Sequence, residues 1–353
     1  MEFVAGESVE KNASKDEQSE EEQEPKVVEL SDGEEDEKEK DGEEDTLGPA
    51  DRVVIPSDIA KFAEDDKVIF IVGTQGNKVT KIAGLEHMTQ LEELVLRCNL
   101  VSSMEGVETL STLKKLELYD NHVTALYGLE QLTNLTTLDI SFNVIRDMSM
   151  VAACPLLEEV YIAQNKLRKM TGLEKLVHLR LLDLGANRIR EIQGLENLLN
   201  LESLWLGKNK IESIPDLSHL TKLKQLDVQS NRLTCVTGIE AMPALEELYL
   251  AHNGIETVAG LPVCDCLNTV DLTANRLTSF EGMHALANLE EFWVGQNQVS
   301  SFEDLEPLKQ LTSLSCLYLE HNPLASDFEY RMKITNLIPT LEQIDATPVA
   351  RIG

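Results

Sequence analysis

The chain has 353 residues and a formal net charge of −31, enough length for two average domains or one long repeat array. Such acidity argues against direct binding to nucleic acid or to an anionic membrane surface, and it favours basic partners. No apolar run of about 18 residues occurs and no secretory signal opens the chain, so we expect no membrane span and a location in the nucleus and cytoplasm.

The first segment, residues 1–50, is predicted to be an acidic disordered tail. It holds twenty Asp and Glu against five Lys and Arg, and it has few bulky apolar residues. Such a segment cannot bury enough apolar surface to offset the entropy cost of ordering it. Ser31 in SDGEED and Ser19 in SEEE resemble acidophilic kinase sites, so both are candidate phosphorylation sites.

The next segment, residues 51–76, is predicted to be an N-terminal cap, because a repeat array needs a cover for its first core layer. Residues 77–321 are then predicted to form leucine-rich repeats. Around most of a series of asparagines runs L-x-x-L-x-L-x-x-N-x-I/L, as in LESLWLGKNKI and LTTLDISFNVI. These asparagines recur every 22 residues, with one more at Asn322, and they stand at positions 77, 99, 121, 143, 165, 187, 209, 231, 253, 275 and 297.

The repeat pattern predicts an α/β fold, a leucine-rich-repeat solenoid with a concave parallel β-sheet. The alternating leucines would line the inner side of a short strand. The asparagine amide can both donate and accept, so it would satisfy backbone groups where the chain turns inward. The segments between strands are short, which predicts 3₁₀ or single-turn helices on the convex side.

The last segment, residues 322–353, is predicted to be a C-terminal leucine-rich-repeat cap. Ser326-Asp-Phe-Glu329 matches a capping box, which would open a helix that ends before Pro339. The helix would contain Tyr330, Met332, Ile334 and Leu337. The stretch LEQIDATPV would then add a final leucine-bearing segment.

One outward strand position, four residues before most of the repeated asparagines, alternates between acids and aromatics. The alternation is unbroken from Asp139 to Trp293, and the row would run about 50 Å across strands that lie 4.8 Å apart. A contiguous strip of exposed aromatics indicates a protein-binding surface with tryptophan anchors, although strands also tolerate such residues on a solvated face. The row contains Val95, Glu117, Asp139, Tyr161, Asp183, Trp205, Asp227, Tyr249, Asp271, Trp293 and Tyr318.

The sequence predicts no catalysis, cofactor or metal. Where acids alternate with aromatics, from Asp139 onward, successive carboxylates of the row would lie about 9–10 Å apart, too far to work as an acid/base pair. No HExxH, GxSxG or Gly-rich phosphate loop occurs, and the six cysteines form no CxxC pair. We therefore expect a protein that is not an enzyme.

The repeats, the row and the ending YLEHNPL…YRMKITNLIPTLEQIDAT closely resemble the protein phosphatase 1 regulatory subunit 7 family over roughly residues 65–347. The segments EEFWVGQN, ISFN, WLGKNKI and LYLAHNGIE make the resemblance more specific than generic repeats would. The resemblance implies a non-catalytic, largely nuclear partner of the phosphatase 1 catalytic subunit, linked to mitosis. It also implies that newly made or metal-deficient phosphatase is held together with a further inhibitor subunit, and we expect a monomer before binding.

The resemblance also implies which positions contact the phosphatase. Those that match the family pattern directly are Asp139, Asp271, Glu291, Trp293 and Tyr318. Tyr161 and Trp205 stand where the family commonly has Phe, and Asp183 where it commonly has Glu. The rest of the row adds Glu117, Asp227 and Tyr249 as secondary positions. Lys67-Val-Ile-Phe70 fits the basic-Val-x-Phe docking motif of many phosphatase 1 partners, but we expect a cap strand that buries Val68 or Phe70.

Two other functions stay open at this point. An acidic histone-binding or chaperone-like protein would act through charge, so its partner would be lost at raised ionic strength and would depend on the tail. A purely structural scaffold would keep all partners when the row is mutated. An aromatic-anchored surface would survive deletion of the tail and fail on Trp293→Ala.

Overall fold

The computed structural model describes residues 62–75 and 78–350, all within one structural unit, Leu47–Gly353. The predicted acidic tail, the candidate phosphorylation sites Ser19 and Ser31, and Asn77 lie outside the described residues. In the part that is described, no helix is both long and apolar enough to cross a bilayer.

The described residues form one sheet of fourteen strands whose spatial order is the chain order. Neighbouring strands are parallel except for the last pair, which is antiparallel. This arrangement confirms the predicted leucine-rich-repeat solenoid with a concave parallel sheet. The strands are β1 Val68–Val72, β2 Glu93–Arg97, β3 Lys115–Glu117, β4 Thr137–Asp139, β5 Glu159–Tyr161, β6 Leu181–Asp183, β7 Ser203–Trp205, β8 Gln225–Asp227, β9 Glu247–Tyr249, β10 Thr269–Asp271, β11 Glu291–Trp293, β12 Cys316–Tyr318, β13 Gln343–Ile344 and β14 Thr347–Pro348.

The helical segments are short, as predicted, and several of the links between strands contain none. One α-helix, α1, covers Tyr330–Leu337 in the C-terminal part. Short links keep successive strands adjacent, so the sheet stays parallel and curves in one direction. The 3₁₀ segments among the described residues are Val107–Thr109, Leu129–Gln131, Ser149–Ala153, Met283–Ala285, Glu303–Gln310 and Pro323–Ser326.

The core is a continuous stack of leucine layers behind the sheet. In β7 the middle residue Leu204 and the following Leu206 are fully buried, while Trp205 between them lies on the concave face. Because successive strand residues point to opposite faces, the same alternation recurs in each repeat. The core thus fixes which side chains reach the concave surface.

An asparagine ladder closes the inward turn of each repeat. Asn209 donates from Nδ2 to the carbonyl oxygen of Leu184 in the preceding repeat at 3.0 Å. Its Oδ1 accepts the backbone N–H of Ile189, also at 3.0 Å. The residue just before it, Lys208, has a φ of 56°, and the residue before each other ladder asparagine is likewise left-handed. The ladder therefore binds repeat to repeat through buried polar groups, as the sequence predicts.

The N-terminal part contains the expected strand, but the expected burial is wrong. Ile69 is 1% exposed, whereas Val68 is 50% exposed and Phe70 63% exposed. The cause is register, because Ile69 is paired with Leu94, an inward residue of β2. Its two neighbours therefore occupy outward positions.

The C-terminal helix lies where the sequence places it, but the predicted capping box is wrong. The Ser326 hydroxyl donates to the carbonyl of Pro323, within its own 3₁₀ turn. The backbone N–H of Glu329 donates instead to the Asp327 carboxylate at 2.7 Å. Because the serine already belongs to the preceding turn, its side chain is directed away from the helix. The Arg331 guanidinium then anchors α1 to the carbonyl of Ile344 in β13.

Candidate protein-binding stripe on the concave face

The strand register places the alternating acids and aromatics side by side. Each member pairs directly with the corresponding residue of the next strand, without a slip from β3 to β12. Glu291 lies two residues before Trp293 and on the same face of β11. We call this row the stripe, and its members are Glu117, Asp139, Tyr161, Asp183, Trp205, Asp227, Tyr249, Asp271, Trp293 and Tyr318.

The N-terminal end of the row is less open than the sequence predicts. Val95 is buried at 2% exposure, and Glu117 is buried between the side chains of Arg97 and Lys115. Ion pairing neutralises the Glu117 carboxylate on the concave face. From Asp139 onward the stripe side chains are half-buried rather than buried, so the solvent-accessible part of the stripe begins at β4, one strand after Glu117.

Each aspartate of the stripe supports its own strand end. Its Oδ1 accepts the backbone N–H two residues further on, at Ser141, Gly185, Gln229 and Thr273, over 2.8 to 2.9 Å. Such short-range bonds satisfy backbone donors that the sheet leaves unpaired. In the aromatic repeats from Tyr161 to Trp293 the corresponding residue is small, and these small residues are Ala163, Gly207, Ala251 and Gly295.

Burial raises the pKa of three stripe aspartates above the ordinary value of 3.8. Partial loss of solvent is the main cause for Asp139, Asp183 and Asp227. The accepted backbone hydrogen bonds lower these pKa values in part, and repulsion between neighbouring acids raises them again. A raised pKa means that the ionised form of each carboxylate is less stable in the folded chain than in water, so ionised carboxylates on this face lower the free energy of unfolding.

We expect Asp183→Asn to raise the free energy of unfolding at pH 7. The folded chain holds the Asp183 proton more tightly than the unfolded chain does, so stability falls as pH rises from about 3.8 through the raised pKa. The asparagine removes this loss and keeps an oxygen for the Gly185 N–H. Urea titrations between pH 3 and pH 8 measure the effect, with Asp183→Ala as the control that removes the acceptor. Lower stability of the asparagine variant at pH 7 would contradict this account.

The aromatic members pack against one another at the C-terminal end. The ring centroids of Tyr249 and Trp293 lie 6.5 Å apart, and those of Trp293 and Tyr318 lie 6.1 Å apart at 72°. Both distances are favourable for aromatic pairs, the first tilted and the second edge-to-face, so the rings are held before any partner arrives. The indole N–H of Trp293 is buried and has no acceptor in the described part of the chain.

The stripe tyrosines form hydrogen bonds with neighbouring side chains. The Tyr249 hydroxyl donates to Glu247 at 2.8 Å, and the Gln343 amide donates to the Tyr318 hydroxyl at 2.7 Å. Burial, reinforced by a nearby glutamate, raises the pKa of Tyr161 and Tyr249 to about 12. Their rings are therefore fixed in direction, and the phenols stay protonated at physiological pH.

Two cavities open along the stripe, each of about 280 Å³. The first lies between Trp205 and Tyr249, over the Asp227 carboxylate; its lining also includes Gln225, Gln229 and Glu247. The second lies beside Trp293 and Tyr318; its lining also includes Thr273, Gly295, Gln296 and Glu320. Both combine aromatic walls with carboxylates. Within 62–75 and 78–350, no cluster of three His, Cys, Asp or Glu is arranged to hold a metal ion.

The sequence reasoning missed outward residues beside the row. The ring centroids of Tyr119 and Phe142 lie 4.9 Å apart, and the Arg97 guanidinium lies 5.0 Å over the Tyr119 ring. Phe70 extends the row because it pairs with Val95. Glu320, in the second cavity, stands two residues after the row. Applying the 22-residue period to the positions two and three residues after the row would have found most of them.

Comparison with known families defines the class of protein. A family model for the leucine-rich repeat matches residues 237–351, and a second, for two copies of such repeats, matches 111–152 and 199–241. A solved leucine-rich-repeat protein of Leptospira interrogans is similar with a TM-score of 0.69 and 26% identity, over 76% of this chain and 70% of that chain. The chain is thus a leucine-rich-repeat solenoid, a fold that supports protein binding.

Among curated proteins, similarity is to phosphatase regulators over short segments. Protein phosphatase 1 regulatory subunit 7 of Mus musculus is 47% identical over 51 residues, which is 14% of this chain and 14% of that protein. Protein phosphatase 1 regulatory subunit pprA of Dictyostelium discoideum is 44% identical over 54 residues, or 15% and 16% of the two chains. The matched segments therefore span a small part of each relative. Together with the repeats, they indicate a protein-binding regulator.

Proposed function

We propose that this chain is a non-catalytic regulatory subunit that binds the protein phosphatase 1 catalytic subunit through the stripe. The observation that carries the proposal is the uninterrupted alternation of acids and aromatics on one register of the concave sheet. The named relatives, which are regulatory subunits of that phosphatase, support the choice of partner. The principal contact residues are Asp139, Tyr161, Asp183, Trp205, Asp271, Glu291, Trp293 and Tyr318.

The stripe suits tight binding because it is ordered in advance. Half-buried rings held by their neighbours lose little rotational freedom when a partner covers them. Trp205 and Trp293 are the residue type most often found as interface anchors. Asp227 and Tyr249 contribute from the same row, and Glu117 contributes least because its carboxylate is already paired.

The remaining parts of the proposal concern the setting of the complex. The chain acts in the nucleus and cytoplasm and is a monomer before it binds. A further inhibitor subunit joins the same complex. Binding at the concave face would leave the convex side free for such a third component.

We expect the variant Trp205→Ala/Trp293→Ala to bind the phosphatase 1 catalytic subunit at least about tenfold more weakly, or roughly 1.4 kcal/mol. Titration calorimetry of wild type, the double variant and a chain lacking residues 1–50 measures this. Loss of two anchor rings removes contact area, whereas loss of the tail leaves the stripe intact. Tyr127→Ala/Phe328→Ala is the matched control, because both residues are exposed and lie outside the stripe.

The other outcomes separate the alternatives. Unchanged binding by the double variant, with circular dichroism showing an intact fold, rules out the stripe as the contact surface. If wild type binds neither metal-loaded nor metal-stripped phosphatase, the proposed partner is wrong. Binding of core histones that disappears with the tail or at raised salt would then favour the acidic histone-binding or chaperone-like function.

A further inference from the structure

We propose that the two cavities of the stripe receive two cationic side chains, arginine above all, from the surface of the partner. This inference rests on the proposed function and names the chemistry that the stripe recognises. The cavities are centred on β7–β9 and on β11–β12. Four strand spacings separate Trp205 from Trp293, or about 19 Å. The partner would therefore present its two cations at about that separation.

The first cavity is lined by two aromatic rings and a carboxylate. Trp205 and Tyr249 lie on strands two apart, and Asp227 lies on the strand between them. Two strand spacings are about 9–10 Å, which leaves room for a side chain between the rings and over the carboxylate. A planar guanidinium can stack on aromatic faces and donate to a carboxylate at the same time. Asp227 Oδ1 accepts the Gln229 backbone N–H and Oδ2 accepts the Gln229 side-chain amide, so each oxygen keeps one further lone pair for a guanidinium.

The second cavity combines two perpendicular rings with an unpaired carboxylate. Trp293 and Tyr318 form its aromatic wall. Gly295 also lines it, and there the backbone closely approaches the next strand, since a Cβ would lie 3.2 Å from the Glu320 carbonyl oxygen. No cation within the described residues pairs with the exposed Glu320 carboxylate. A cation that enters would meet the ring faces and this carboxylate together.

Charge selects a cation over an apolar side chain in both cavities. The first and last residues of β7–β12 and the residue two positions after each strand end are outward, and none of them is Lys or Arg. At the opposite end of the sheet, Arg97 and Lys115 already neutralise Glu117. An apolar occupant would strip water from the carboxylates and leave them unpaired, which is costly. The five acids at these C-terminal outward positions are Asp227, Glu247, Asp271, Glu291 and Glu320.

The chain supplies its own reporters for a test. Its two tryptophans stand one in each cavity, so Trp205→Phe leaves fluorescence from the second cavity and Trp293→Phe leaves it from the first. The probe is a Gly-Ser peptide with two arginines six residues apart, a separation of about 19 Å in an extended chain. Control peptides carry one arginine, or citrulline at both positions as the neutral isostere.

We expect the two-arginine peptide to change the fluorescence of both reporters and to bind at least about tenfold more tightly than the one-arginine peptide, because the second contact becomes intramolecular. Citrulline should abolish the response, and raised salt should weaken it. Equal binding of the citrulline peptide, or no response in either reporter, would overturn the inference.

A second measurement separates this inference from the proposed function. Glu320→Gln and Asp227→Asn keep side-chain size while removing charge, and both should weaken binding of the phosphatase 1 catalytic subunit several-fold. If Glu320→Gln and Asp227→Asn bind the phosphatase as tightly as wild type while Trp293→Ala binds it more weakly, the inference of cation recognition is wrong and the proposed phosphatase binding stands. If the arginine peptide binds and the phosphatase does not, the partner is wrong and cation recognition stands.

Discussion

Phe292→Ala is expected to lower the free energy of unfolding by about 4 kcal/mol. Phe292 is the middle residue of β11 and is fully buried, between Val270 and Leu317 of the neighbouring strands. Its ring meets the buried Phe280 ring edge-on, with centroids 5.3 Å apart. Truncation removes that contact and leaves a cavity. The cavity cannot collapse easily, because strand spacing is set by backbone hydrogen bonds on both sides.

Urea unfolding followed by circular dichroism measures this loss. Phe328→Ala is the matched control, since Phe328 is fully exposed and its truncation should change stability by less than about 0.5 kcal/mol. A loss under about 1 kcal/mol for Phe292→Ala would show that the core layer repacks and that the rigid-stack description is wrong. Because Trp293 follows directly on the same strand, folded Phe292→Ala protein should also bind the phosphatase more weakly.

Repetition is the reason that much of the fold and the position of the stripe could be predicted from the sequence. A residue such as Leu204 meets nearly the same surroundings as its counterparts 22 residues away, so one pattern fixes many positions. The inward and outward alternation then places Trp205 on the concave face without any knowledge of distant contacts. The strand register therefore determines which residues belong to the row. The binding role of the row stays a proposal.

The features that escaped prediction depend on particular partners rather than on the period. Ile69, not Phe70, is buried because it meets Leu94. Glu117 is buried because Arg97 and Lys115 both form ion pairs with its carboxylate, and this contact involves only two repeats. The two cavities depend on which way each ring tilts and on small residues such as Gly295 beside it. Apart from the small residues, which recur in every second repeat, none of these contacts leaves a periodic signal in the sequence.

The stripe also shows how stability and binding compete in this fold. The carboxylates of Asp139, Asp183 and Asp227 are partly desolvated, which raises their pKa and opposes folding. Their backbone hydrogen bonds offset part of that cost. The partner proposed above would offset the rest of the cost if it placed cations beside these carboxylates. Basic side chains on the partner would do so directly.

Asn209→Ala is expected to lower the free energy of unfolding by about 3 kcal/mol, because it leaves the buried Ile189 N–H without an acceptor and removes one hydrogen bond from each of three carbonyl oxygens. Asn209 is 8% exposed and donates to the carbonyl oxygens of Leu184, Leu206 and Gly207 while accepting the N–H of Ile189. Water cannot replace these bonds inside the stack without separating two repeats. The loss should therefore propagate to the neighbouring repeats rather than stay local.

Two variants make the ladder test specific, with urea unfolding as the measurement. Asn197→Ala is the matched control, since Asn197 is exposed and makes one bond to the Glu174 carbonyl, so its loss should stay under about 1 kcal/mol. Asn209→Asp keeps the acceptor for Ile189 but turns a carboxylate toward three carbonyl oxygens, so it should destabilise at least as much as alanine at pH 7. Its deficit should shrink at low pH, because a protonated carboxyl regains one donor. Equal losses for Asn197→Ala and Asn209→Ala would contradict this account. They would mean that the buried hydrogen bonds of the ladder add no stability and that leucine packing alone joins the repeats.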